Sequence, residues 1–461
     1  MLPSFARKVV SSTLLSPPFT GESVASHHLN VAARHWALIA ADSFSQAEWA
    51  GIQLMKLKDV LTHAAENVPY WKRTLAERSF NPAHLTRLGD IQTLPTIKRS
   101  DLKRLPNDFI ALTVPLSRRR EAYTSGSTGE PLCFYKDSRE SVGRELNILQ
   151  EFRYGGYNLT PPVLILGLRS HPQLNAFGRR FGSPDLEDDH MRKGELYNFL
   201  KVAKTKFAIG APSLLERLMV FMRCDEFSYP FRAIQFRGEP LAEHRRRELS
   251  AFFQCPLLED YGTRECSTIG MQCKQSRLHL APWTNYVEIV DEAGRQLPTG
   301  TEGDIVVTYF ENWVMPFIRY RIGDRGRIRP DPCPCGRATA TIECTGREAG
   351  LIEFSDGSAI PVLRVITNLT KKFHQDIVRF QLELRDGNEL IFRFIPTPAC
   401  TPDREARLQR FLDDLFGEKV GCLLEKVSQI PPNASDKTPL FVHRSQGDSY
   451  RSGLNTERRG T

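Results

Sequence analysis

Short apolar runs alternate with amphipathic stretches along most of the chain. Leu54, Leu57 and Leu61 recur at helical spacing, and Asn67-Val68-Pro69 ends that run. Residues 163–168 (VLILGL) and 207–211 (FAIGA) read as buried strands. Residues 214–222 (LLERLMVFM) read as a helix capped by Ser213 after Pro212. Residues 286–291 (YVEIVD) and 303–310 (GDIVVTYF) add strands separated by turn-rich sequence. This alternation predicts α/β layering. After residue 345 the texture changes. Residues 378–395 read as a hairpin around Asp386-Gly387-Asn388. Asp403 then starts a helix as its cap, with Leu408, Phe411, Leu412, Leu415 and Phe416 on one stripe, and residues 422–430 supply another strand.

The predicted organisation is a large α/β domain over residues 47–345 and a small α+β domain over 346–443. Residues 1–46 read as a partly disordered lead-in, with a targeting peptide as the alternative. Residues 444–461 carry almost no large apolar side chains and read as a disordered tail.

Composition narrows the class. A chain of 461 residues exceeds what one core usually holds, which agrees with two domains. The net charge of +8 (62 basic minus 54 acidic residues) has no dominant block. Arg118–Arg120 and Arg245–Arg247 lack interleaved aromatics, so they read as solvated faces and not as a nucleic-acid surface. No run of 18 apolar residues exists to span a membrane. The ten cysteines are scattered, against a secreted disulfide scaffold and in favour of a cytoplasmic protein. Nothing in the pattern fixes an oligomeric state, a homodimer included.

Residues 123–135 (YTSGSTGEPLCFY) hold the densest candidate chemistry. Thr124, Ser125, Gly126, Ser127, Thr128 and Gly129 combine a flexible backbone, whose N–H groups can converge on an anion, with rotatable hydroxyl donors. That suits a polyphosphate, although the spacing is not that of a Walker loop and a plain Ser/Gly surface turn has the same composition. Further along stand FRGEPL (236–241), DYGTRE (260–265), RYRIGDRG (319–326), TGRE (345–348) and SDKTPL (435–440).

This succession resembles the adenylate-forming superfamily of acyl-CoA synthetases, adenylation domains and luciferases. Within it the phenylacetate–CoA ligases and their capsule-biosynthesis relatives are most similar; ENVPYWKR, LPTIKRSDL and CPCGR fit them too. The resemblance covers about residues 50 to 443. It implies a large N-terminal adenylation domain and a small mobile C-terminal lid. It also implies an activity: a carboxylic acid, with an aryl or arylacetic acid first, reacts with ATP to give acyl-AMP, and the acyl group then passes to CoA. An amine, a hydroxyl or a carrier-protein thiol is the alternative acceptor. A degenerate relative that binds nucleotide or a partner without turnover is a further alternative.

The same resemblance implies roles. The hydroxyl–glycine loop grips the β- and γ-phosphates, and Glu265 recruits Mg²⁺. Asp324 accepts from the ribose hydroxyls. Gly238, Glu239 and Pro240 form the strip against adenine, with Tyr261 stacking beside Gly262. Lys437 stabilises the transferring charge, and Arg347 sits at the hinge of a conformational gate. The acid pocket is expected between the middle α/β region and the YGTRE turn. Glu130 stands where many relatives have Lys, Arg264 where they have Thr, Ala349-Gly350 where they have an acidic pair, and Asp436 where they have Gly. Arg264 could add a phosphate contact, and Asp436 could draw Lys437 away from its target.

A separate constellation concerns metal. Cys273 and His279 form C-x₅-H, and Cys333 and Cys335 form C-x-C in a tight Pro/Gly turn. Two such pairs suit tetrahedral Zn²⁺ with no open position, hence a structural ion. Unligated thiols are the plain alternative. The resemblance points the same way, because relatives use similar residues for structural zinc.

Overall fold

A computed structural model describes residues 3–15, 24–123, 132–136, 140–158, 163–166, 173–175, 178–182, 193–238, 241, 243–347, 351–353, 359–361, 365, 369, 372–373, 376–385, 389–416, 420–430 and 441–444. The chain falls into two units. The larger is built from Met1–Thr124 and Leu132–Glu348, and the smaller from Ser125–Pro131 and Ala349–Thr461. Among the described residues, no helix is long and apolar enough to cross a membrane.

The larger unit begins with helices α1 (Ser4–Leu15) and α2 (Val24–Ala40), where a partly disordered lead-in was the expectation. The physical reason is local. Val10 and Leu14, one helical turn apart, are buried with Leu38, Phe44, Trp49 and Trp283. The intervening hydroxyls need no core, because Thr13 Oγ1 bonds back to the Val9 carbonyl at 3.0 Å. Helix α3 (Gln46–Asn67) starts at a capping box: Ser45 N–H donates to Glu48 Oε2 at 2.8 Å, and Glu48 N–H donates to Ser45 Oγ at 3.3 Å. Val68 ends it, and Pro69 opens α4 (Pro69–Glu77), as the sequence suggests. A short α5 (Arg99–Arg104) follows.

Strands β1 (Arg120–Tyr123) and β2 (Cys133–Lys136) form a hairpin on either side of the hydroxyl–glycine segment. Then come α6 (Glu140–Tyr154), β3 (Val163–Ile165), β4 (Gln173–Asn175), β5 (Gly178–Gly182), α7 (Lys193–Ala203) and β6 (Phe207–Gly210). Next are α8 (Pro212–Cys224), β7 (Ala233–Arg237), α9 (Glu243–Phe253) and β8 (Leu257–Thr263). The unit ends with β9 (Ser267–Gln272), β10 (Leu278–Leu280), β11 (Asn285–Val290), β12 (Gly303–Tyr309), β13 (Tyr320–Ile328) and β14 (Thr341–Arg347).

Twelve of these strands form one sheet in the order β11-β12-β13-β14-β10-β9-β8-β7-β6-β3-β5-β4. Pairing is parallel through β5, β3, β6, β7 and β8, and antiparallel from β8 through β9, β10, β14, β13 and β12 to β11. The parallel strands read as continuous apolar runs because helices cover them. Leu164, Ala208, Ile234 and Leu257 are buried with Leu215, Leu218 and Leu249 of α8 and α9. Two local readings need correction. The strand read over residues 163–168 is confined to Val163–Ile165. Helix α8 is capped by Ala211, with Pro212 in the first helical position, so Ser213 lies inside the helix: the fixed φ of proline sets the start and leaves the serine two residues too late to cap.

The smaller unit carries a hairpin of β15 (Leu351–Glu353) and β16 (Ala359–Pro361), then a four-stranded sheet. Strands β17 (Ile377–Arg385) and β18 (Glu389–Pro396) pair antiparallel, Arg385 opposite Glu389, as the alternating pattern predicts. Helix α10 (Pro402–Phe416) buries Leu408, Leu412 and Phe416 against that sheet. Asp403 falls in its first turn behind Pro402 and is not its cap. Strands β19 (Cys422–Lys426) and β20 (Phe441–Arg444) add to β18 and β17 in parallel.

Candidate functional site

Parallel β-sheets offer ligand space beyond the carboxyl ends of their strands, where the connectivity changes. Here that place is the end of β7 and β8, next to the switch from parallel to antiparallel pairing. Gly238, with φ of 82°, turns the chain sharply after β7. Gly262 is required for another reason. A Cβ there would stand 2.2 Å from the Ser267 carbonyl oxygen, at the register shift where β8 meets β9.

The acidic candidates are held by tyrosines. Tyr320 Oη donates to Glu265 Oε1 at 3.1 Å, and Tyr261 Oη donates to Asp324 Oδ2 at 2.9 Å. Three strands separate β8 from β13 in the sheet, so the antiparallel half curls enough to bring Tyr261 onto Asp324. Burial, reinforced by the neighbouring carboxylate, pushes both tyrosine hydroxyls well above their usual range, which keeps them donors. Glu265 Oε2 has no protein partner among the described residues, so one carboxylate oxygen is available to a cation. Arg264 Nη1 donates to the Tyr123 carbonyl at 2.9 Å, which ties the YGTRE turn to the residue before the hydroxyl–glycine loop.

The other face of β13 carries residues that the sequence did not single out. Alternation puts Tyr320 and Asp324 on one face and Arg321 on the other. Arg319, just before the strand, is 1% exposed. Its Nε and Nη2 bond both oxygens of Glu288 at 3.1 and 3.0 Å. Its remaining donors reach the carbonyls of Gln92, Leu94 and Gly294. Arg321 bonds Thr96 Oγ1, Asp304 and the carbonyls of Asp291 and Glu292. These two arginines staple the LPTIKRSDL segment and the loop after β11 to the strand that presents Tyr320 and Asp324. The only sequence signal was their alternation with apolar residues in RYRIGD.

A polar cluster also lies between α6 and the carboxyl ends of β7 and β8. Glu151 accepts from Gln235 Nε2, from Thr268 Oγ1 at 2.9 Å and from Arg237 Nη2 at 3.3 Å. Arg237 Nε stands 3.3 Å from Asp260 Oδ2. Burial, with the Asp260 charge second, pushes the Glu151 carboxyl up to about 8, so it holds its proton at neutral pH. A raised folded-state value has a definite consequence. The stability that the protonated group contributes is complete below its ordinary 4.5 and is lost as pH rises through about 8. Glu151→Gln should therefore gain on the wild type between about pH 4.5 and about pH 8 in urea unfolding. An unchanged difference would place the proton elsewhere.

Several sequence candidates lie outside the described residues: Thr124, Ser125, Gly126, Ser127, Thr128, Gly129, Glu239, Pro240 and Lys437, together with Glu130, Ala349, Gly350 and Asp436. The backbone of Arg347 pairs with Asp324 between β13 and β14.

The metal candidates do come together. Strand β10 lies between β9 and β14, so His279 is opposite Met271 on one side and Thr341 on the other. Cys273 follows β9, and Cys333 and Cys335 precede β14. The four ligand atoms all lie within 4.8 Å of one another. Cys273 Sγ and Cys333 Sγ are 3.7 Å apart, against about 3.8 Å for the edge of a tetrahedron with Zn–S bonds of about 2.3 Å. Cys335 Sγ and His279 Nε2 are 3.2 Å apart. His279 Nδ1 lies 2.9 Å from the Thr339 carbonyl, which makes Nδ1 the donor and leaves Nε2 for a metal. Burial pushes the imidazole down to about 4, so it is neutral. The donor set therefore fits zinc, with all four positions filled by protein.

Comparison with known proteins agrees with this architecture. Residues 122–315 match the AMP-binding enzyme family. A phenylacetate–coenzyme A ligase of Aromatoleum evansii is 26% identical over 325 residues, 67% of this chain and 72% of that protein. Protein CapK of Staphylococcus aureus is 20% identical over 409 residues, 85% of this chain and 88% of that one. The fold is similar to that of 2-hydroxyisobutyryl-CoA ligase in its postadenylation state with R3-HIB-AMP. The TM-score is 0.69 at 18% identity, over 88% of this chain and 92% of that one. This chain belongs to the AMP-binding superfamily and is a distant homologue of the phenylacetate–coenzyme A ligases and CapK.

Proposed function

We propose that this protein is an AMP-forming acid–thiol ligase. A carboxylate oxygen attacks the α-phosphorus of ATP, the bond from that phosphorus to the α,β-bridging oxygen breaks, and acyl-AMP and pyrophosphate result. The thiol of CoA then displaces AMP from the acyl carbon, loses its proton, and leaves a thioester. The observation that carries this reading is the pair of tyrosine-held carboxylates, Glu265 under Tyr320 and Asp324 under Tyr261, at the carboxyl end of β8 in a chain with the adenylating fold.

Each residue has a task. Glu265 offers its second carboxylate oxygen, unbonded among the described residues, to Mg²⁺, which when bound neutralises charge on the phosphates. Asp324 accepts from the ribose hydroxyls. Residues 124–129 supply backbone and hydroxyl donors to the β- and γ-phosphates, and Arg264 fixes the base of that loop through Tyr123. Gly238, Glu239 and Pro240, with Tyr261 and Gly262, receive adenine. Lys437 brings an ammonium to the attacking carboxylate and the α-phosphate, and Arg347 lies at the hinge through which that lysine withdraws before the thiol enters. Zinc at Cys273, His279, Cys333 and Cys335 is structural.

Glu265→Gln tests the metal assignment with little disturbance, because the amide oxygen still accepts from Tyr320. Acid-dependent adenylation should fall roughly 100-fold with an unchanged melting temperature. A loss under about threefold would remove Glu265 from the mechanism. Mass spectrometry of the products with and without CoA identifies the acceptor. Acyl-CoA formed only when CoA is present supports the ligase, whereas acyl-AMP that persists with CoA and is consumed by an amine or a carrier thiol would replace CoA as acceptor.

A further inference from the structure

The cluster between α6 and the ends of β7 and β8 takes no part in phosphate chemistry, yet it occupies the expected place of the acid. Gln235, Glu151, Thr268 and Asp260 are all more than nine-tenths buried there. An apolar acyl pocket would not be built on such residues, because polar groups shut away from water need partners. The partners are incomplete. Asp260 Oδ1 and Arg237 Nε are buried without a hydrogen-bond partner. Among the described residues Arg237 Nη1 has none either, since the guanidinium bonds Glu151 and Gln235 through Nη2, and the side chain remains 33% exposed. Phe236 faces the core under α8 and α9, so strand alternation turns Arg237 to the α6 side, at the mouth of the layer.

From this arrangement we infer that the acid substrate carries a hydroxyl group, which accepts a hydrogen bond from Arg237 and donates one to Asp260. This rests on the adenylation reading above. A hydroxyl both accepts and donates, and the site pairs an unmatched donor with an unmatched acceptor. A second carboxylate fits less well, because Asp260 already balances the Arg237 charge. Glu151 and Gln235 are positioning residues. Gln235 Oε1 accepts from Arg237 Nη2 at 2.9 Å, and Glu151, bonded to the Gln235 amide, holds the guanidinium from the other side. An arylacetic acid without a hydroxyl, suggested by the sequence resemblance, would leave these groups sealed and unmatched.

The test is a set of matched acids in pyrophosphate-release assays with the full chain: phenylacetate against mandelate and 4-hydroxyphenylacetate, and butyrate against 2- and 3-hydroxybutyrate. The best substrate should be hydroxylated and exceed its hydroxyl-free partner by roughly 100-fold in kcat/KM. Arg237→Met should lower kcat/KM about 100-fold for the hydroxylated acid and only a few-fold for its partner, with the KM for ATP unchanged. Arg237→Lys, which keeps one cationic donor, should recover part of the difference. Fastest turnover with hydroxyl-free acids, or an equal loss for both members of a pair in Arg237→Met, would overturn this inference alone. No turnover with any acid would overturn it together with the adenylation reading.

Discussion

Stripping metal from the cluster of Cys273, His279, Cys333 and Cys335 is expected to lower the melting temperature by roughly 10 °C. Purified protein should carry close to one zinc per chain. The size follows from linkage: an ion at a thousand times its dissociation constant stabilises the folded state by about 4 kcal/mol. The geometry says where the loss will appear. The four ligands lie at the ends of β9, β10 and β14, which join the two halves of the curled sheet. Without the ion, three thiols, two of them 3.7 Å apart, and a buried neutral imidazole are left at that seam. Hydrogen exchange should therefore rise first in those strands. Cys335→Ser, which removes a donor at little cost in volume, should drop the zinc content well below one per chain and reproduce the chelated melting curve. Full stability without metal would make the cluster four ordinary thiol and imidazole groups.

Arg319→Met is expected to cost about 3–5 kcal/mol in urea unfolding. All five N–H donors of Arg319 are used, two on Glu288 and three on the carbonyls of Gln92, Leu94 and Gly294. Glu288 is fully buried, so loss of the guanidinium leaves a carboxylate in the core with nothing to neutralise it. Arg319 also has φ of 48°, a left-handed backbone that a non-glycine residue holds only when its surroundings insist. Breaking the pair and replacing it are different experiments. Arg319→Met with Glu288→Leu removes both charges and should recover most of the loss in that pair, though not the three carbonyl bonds. A single variant costing under about 1 kcal/mol would show that this staple carries little of the fold.

Much of this was legible in one dimension. The hairpin of β17 and β18 alternates cleanly, and the break at Asn67-Val68-Pro69 is where α3 gives way to α4. The Cys/His pairs were legible because each is tight in sequence, so only one tertiary contact was needed to complete the set. The arginine staples were harder to read. An arginine beside tyrosine and aspartate in RYRIGD is as consistent with an anion ligand as with a buried ion pair, and its partner Glu288 lies 31 residues away. The cluster around Glu151 was harder still, since Glu151 and Arg237 are 86 residues apart on a helix and a strand. The first N-terminal helix was missed because Ser11, Ser12 and Thr13 interrupt its narrow apolar stripe; Val10 and Leu14 carry that stripe into the core, where Ala37 and Leu38 of α2 join them.

The central claim is that this chain joins an acid to AMP, and pyrophosphate exchange tests it most directly. With ATP, magnesium, labelled pyrophosphate and a panel of carboxylic acids, but no CoA, label should enter ATP only when a suitable acid is present. Lys437→Ala should abolish that exchange while still binding ATP. Exchange that is absent with every acid, or that proceeds equally without one, would contradict the account.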